Sequence, residues 1–62
     1  MASVWKSVFK ELPPNGTIVW IRVTSVYGEL ALAEFISVKK EFKVLATNVI
    51  IPVYQVSRWR YQ

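Results

Sequence analysis

The sequence predicts an all-β fold: a small twisted antiparallel sheet, or a partly open SH3-like barrel, of about five strands within a single domain spanning residues 1–62. Three observations lead there. Runs of β-branched and aromatic residues at 17–24, 49–51 and 53–61 are separated by Pro, Gly and Asn turn signals. Apolar residues make up 53% of the chain and aromatic ones 15%, a density that a domain this small requires, since a 60-residue chain buries only about 60% of the surface it exposes when unfolded. The stretch 29–46, which alone carries a helical stripe, places its apolar residues more economically as two strands.

The first element, from Trp5 to Gly16, is an aromatic-led segment stopped by Pro13-Pro14-Asn15-Gly16. Asn15-Gly16 by itself suits a type I′ hairpin, but Pro14 would then flank the turn in a ladder position with no N–H to donate. A type I turn with Pro14 at its second position is therefore expected. The strand from Thr17 to Thr24 puts Val19, Ile21 and Val23 on one face, the predicted core, and Ile18, Trp20, Arg22 and Thr24 on the other. Because that second face still carries Ile18 and Trp20, the Trp5 segment is expected to fold back over it, with Trp5 buried as an aromatic anchor. Ser25-Val26-Tyr27-Gly28 reads as the next turn, Gly28 being free to take positive φ.

Between Glu29 and Ala46, Ala31, Phe35, Val38, Phe42 and Leu45 recur at helical spacing, which keeps open an α+β alternative with a helix at 29–46. Such a helix would leave Leu30, Leu32, Ala33, Ile36 and Val44 among charged residues. Two strands, 29–37 and 42–46, joined through Val38-Lys39-Lys40-Glu41, strand fewer of them and are the preferred reading, although that turn offers no Gly, Asn or Asp. The run Val49 to Ile51 is broken by Pro52, which must lie at an edge or bend. From Val53 to Tyr61 the alternation puts Val53, Gln55, Ser57, Trp59 and Tyr61 on one face and Tyr54, Val56, Arg58 and Arg60 on the other.

The pattern W-x-S-V-x-x-x-L-P-x-x-G at Trp5, Ser7, Val8, Leu12, Pro13 and Gly16, followed by V-W-I-R-V at 19–23, resembles a family of short bacterial and phage or prophage domains of unknown function. Ala33-Glu34-Phe35 is similar to that family's second strand, Lys40-Glu41-Phe42 to its Gly-Glu-Trp turn, and Val56-Ser57-Arg58-Trp59-Arg60 to its closing V-T-H-W segment. The chain departs from the pattern in lacking the turn glycine before Phe42 and the proline-rich tail. The resemblance implies a small β fold and a mobile-element origin, and it supplies no activity to carry over.

The residue inventory argues against catalysis. With no His and no Cys there is no imidazole for acid–base work, no thiolate nucleophile, no disulfide and no usual zinc ligand. Asp is absent too, so any carboxylate pair or oxygen-ligand metal site would have to come from Glu11, Glu29, Glu34 and Glu41, each flanked by turn signals or lysines. The sequence thus predicts no catalytic residue, no cofactor and no metal. Arg22, Glu29, Glu34 and the Lys39-Lys40-Glu41 cluster interrupt every apolar stretch long enough to cross a membrane, and the first twelve residues lack the pattern of a secretory signal. The chain reads as a complete soluble protein of the cytoplasm, in a bacterial cell or a phage-infected host.

What remains is a net charge of +4. Cations interleaved with aromatic rings suit a partner that offers phosphates and bases, and the candidate contacts to a protein partner or to nucleic acid are Arg22, Lys39, Lys40, Lys43, Tyr54, Arg58 and Arg60. On the last strand, however, Arg58 and Arg60 point away from Trp59 and Tyr61, so that strand alone cannot present both on one face. The preferred reading is accordingly a non-enzymatic protein-interaction or structural module that engages a protein partner or a second copy. A weak or stable homodimer through the last strand or the apolar face beside it is expected, and a small basic nucleic-acid-binding accessory protein is the alternative.

Overall fold

The computed structural model describes residues 4–24 and 30–62. Its strands are β1 (Lys6–Ser7), β2 (Ile18–Val23), β3 (Leu30–Ile36), β4 (Glu41–Val44), β5 (Ile50–Pro52) and β6 (Val56–Tyr61), with one turn of 3-10 helix at Val53–Gln55. All strand pairs are antiparallel, in the order β1-β6-β2-β3-β4-β5. Strands β2 to β5 run as a meander; the 3-10 turn then carries the chain back so that β6 lies along the other side of β2, and β1 adds outside β6. This is an SH3-like connectivity in an open sheet, since β1 and β5 form the two ends. The alternative helix is not formed: residues 30–36 and 41–44 are strands.

Alternation along the strands builds the core. Val19 and Ile21 of β2 face Ala33 and Ala31 of β3 and Tyr61 and Trp59 of β6, and Phe35 pairs with Phe42 at a ring separation of 5.1 Å. Val8, Val19, Ile21, Ala33, Phe35, Phe42, Val56 and Trp59 are the buried cluster. Trp59 is fully enclosed and its indole N–H donates to the Glu11 carbonyl at 3.0 Å, so the segment after β1 caps one end of the core.

Two turns differ from expectation. The Thr17 N–H donates to Pro14 O at 3.2 Å, making Pro14 the first residue of the turn and placing Gly16, at φ +81°, third. That is a type II arrangement, which needs the glycine. It is fastened to the end of β3, where Gly16 N–H donates to Phe35 O at 2.8 Å and the Ser37 N–H donates to Asn15 Oδ1 at 3.0 Å. The β3–β4 turn, lacking Gly or Asn, closes by putting Lys40 itself at φ 52°. The predicted turn at 25–28 lies outside the described residues.

The last strand is shorter than predicted and changes phase. Residues 53–55 are the 3-10 turn, entered from Pro52, which has no N–H with which to continue the ladder. Within β6, Arg58 pairs with Arg22 but Val56 pairs with Val23, so Ser57 is an extra residue, a β-bulge. The bulge sends Val56 inward together with Trp59, although strict alternation puts them on opposite faces. β6 is paired along its length with β2 on one side, and on the other the two-residue β1 covers Arg58 and Trp59. The edge of β6 is thus partly occupied from within the chain.

Candidate binding face

The outer face of the sheet is set by the same register that fills the core. Arg22 of β2 lies directly opposite Arg58 of β6, and Trp20 opposite Arg60 on one side and Leu32 on the other. Directly opposed residues share a face, so Trp20, Arg22, Arg58 and Arg60 project together away from the core. Trp5, immediately before β1, completes the group: the guanidinium carbons of Arg60 and Arg22 lie 5.3 and 5.8 Å from its ring centre. Both are within cation–π reach.

Trp5 is only half-buried, whereas the sequence predicts a buried anchor. It does reach the Trp20 and Arg22 face, as expected, but it does so from the strand beyond β6. With Arg22, Ser57 and Arg58 it lines a depression of roughly 460 Å³. The bulge positions the hydroxyl in that wall, and Ser57 Oγ donates to the Arg22 carbonyl at 3.2 Å.

On β6 and β2 every charge on the outer face is positive, while the described outer-face carboxylates, Glu34 and Glu41, lie on β3 and β4. The single ion pair among the described residues, Lys6 with Glu11 at 3.6 Å, involves none of the arginines. Arg22 and Arg58 stand opposite each other across the ladder, a like-charge placement that costs about 0.2–1 kcal/mol. Stacking of Arg22 on Trp5, at about 0.5–1 kcal/mol for an exposed cation–π contact, is of the same size. Arg60 Nε is buried without a hydrogen-bond partner.

The sequence candidates thus divide. Arg22, Arg58 and Arg60 come together. Lys43 is on the outer face but two strands away from Arg22, between Glu34 and Ile50. Lys39 and Lys40 occupy the β3–β4 turn, and Tyr54 is exposed on the 3-10 turn. None of these four belongs to the arginine cluster. Trp5, Trp20 and Ser57 were not among the candidates. The alternation of β2 already puts Trp20 beside Arg22; the missing information was the β2–β6 register, which brings two more arginines alongside.

No protein family, curated protein or solved structure matches the chain. Among the described residues, no helix is long and apolar enough to cross a membrane.

Proposed function

We propose that this chain is a non-enzymatic binding module of mobile-element origin, working in the cytoplasm of a bacterium or an infected host, that engages a polyanionic partner through the outer face of β1, β6 and β2. One observation carries the reading: three arginines share that face with two tryptophans, and no described carboxylate is ion-paired with any of them. A sheet that opposes Arg22 to Arg58 bears a like-charge cost that a bound anion removes. A protein partner or second copy at the β6 edge is the second reading; β1 already covers Arg58 and Trp59 there, which leaves it less of that edge to pair with. The mobile-element origin is supported by the Trp5 to Gly16 motif.

The location of the charge makes the reading testable. On a heparin column, Arg22→Gln with Arg58→Gln should elute at clearly lower salt than the parent chain. Lys39→Gln with Lys40→Gln, which removes the same net charge from the β3–β4 turn, should shift elution much less. Equal shifts for the two double variants would mean that net charge alone is being read, and would sink the proposal.

A further inference from the structure

We infer that the polyanion is single-stranded nucleic acid, with a nucleobase stacked on Trp5 and an adjoining phosphate held between Arg22 and Arg58; this rests on the binding face proposed above. A phosphate needs only the guanidinia. The indole beside them calls for a second kind of group. Trp5 lines the same depression as Arg22, Ser57 and Arg58, so an occupant of that space meets an aromatic surface, two guanidinium groups and a hydroxyl together. A nucleotide unit offers the matching set: a flat base, a charged phosphate and sugar oxygens. Its volume also suits, since depressions of about 300–1,000 Å³ hold small ligands of that class.

Two alternatives match less of the surface. An acidic peptide satisfies the arginines and gives the indole nothing beyond the guanidinia it already contacts. A duplex keeps its base faces stacked inside the helix, so it offers Trp5 phosphates, sugars and base edges but no face to stack on. A single strand exposes both phosphates and base faces, and the outer face offers it more than one foothold. Trp20 lies on the same outer face two strands from Trp5, about 10 Å away at ordinary strand spacing, with Arg60 of β6 between them. Ring, cation, ring is the order in which a strand with splayed bases presents base, phosphate, base.

The test uses the intact chain and a fluorescein-labelled oligo(dT) or oligo(U) of about ten nucleotides, a DNA duplex of equal length, heparin and a poly-glutamate peptide. Fluorescence anisotropy at low salt is expected to show either single strand bound at least about 10-fold more tightly than the duplex. Trp5→Leu should weaken the single strand by about 5- to 100-fold and leave heparin almost unchanged, while Arg22→Gln and Arg58→Gln weaken both. Where Trp5→Leu fails to fold, the unmodified protein serves: the Trp5 indole N–H resonance should shift on adding oligo(dT) and stay in place on adding heparin, with the enclosed Trp59 as internal control. If duplex, heparin or poly-glutamate binds as tightly as the single strands, the nucleobase assignment is overturned and the polyanion reading survives. If nothing anionic binds, both fall.

Discussion

Lys40 shows how a single residue can hold a fold together from an unfavourable conformation. At φ 52° it sits in the left-handed region, where a side chain with a Cβ costs about 1–2 kcal/mol relative to glycine. The turn needs that geometry: Lys40 N–H donates to Ser37 O at 3.2 Å, and its carbonyl accepts from Val53 N–H at 3.1 Å, tying the β3–β4 turn to the 3-10 turn. Asn48, at φ 60°, meets a similar demand with a residue type that tolerates it. Lys40 is exposed, so replacing it loses little packing. Lys40→Gly is therefore expected to stabilise the protein by about 1 kcal/mol, raising Tm by about 4–8 °C in a domain of this size. Thermal unfolding followed by circular dichroism checks it, and a lowered Tm would mean that Lys40 makes a contact worth more than its strain.

At the scale of the element, β6 shows where sequence reading succeeds and where it stops. Its central position between β1 and β2, and the inward turn of both Val56 and Trp59, depend on the bulge at Ser57. Val56 is fully enclosed, so Val56→Lys should unfold the chain at ordinary temperature, the expected cost of an unpaired charge in so thin a core exceeding about 4 kcal/mol. A cooperative melt for that variant close to the parent's would show that Val56 is not inward. The faces of β2 were legible because Val19, Ile21 and Val23 alternate with Ile18, Trp20 and Arg22 without interruption. The β3–β4 hairpin was read correctly, although Leu30, Leu32 and Ile36, which counted against a helix, lie on the outer face of the sheet, Leu30 exposed and the other two half-buried. The phase of β6 was not legible, because V-S-R-W-R alternates equally well with or without an extra residue, and only pairing against Arg22 and Val23 distinguishes the two. The binding face inherits that difficulty. Each strand declares its own outward residues, but the meeting of Arg58 with Arg22, of Arg60 with Trp20, and of Trp5 with two arginines is a property of register between segments separated by 17 to 55 residues of chain.

Over the whole molecule, eight basic and four acidic side chains are spread unevenly, and the distribution decides how binding responds to salt. Arg22, Arg58 and Arg60 form one cluster on β2 and β6, whereas Lys39 and Lys40 lie in the turn between β3 and β4, and Lys43 lies between Glu34 and Ile50. A strand bound at the arginine face releases condensed counterions to solvent as those three groups neutralise its phosphates; the lysines contribute only to the longer-range field, which salt screens within about 8–10 Å. Each single-strand phosphate neutralised contributes about −0.7 to the slope of log affinity against log salt, so two phosphates, one between Arg22 and Arg58 and one at Arg60, give about −1.4. Between 50 and 200 mM salt the affinity for oligo(dT) should then fall by roughly 7-fold. Arg22→Gln with Arg58→Gln should flatten the slope by about 0.7, and Lys39→Gln should leave it nearly where it was. A slope near −4 would mean that the strand wraps round to the turn lysines and that the face is larger than the arginine cluster. A slope near zero, with binding retained, would mean that stacking on Trp5 and Trp20 holds the strand with no phosphate at the guanidinia.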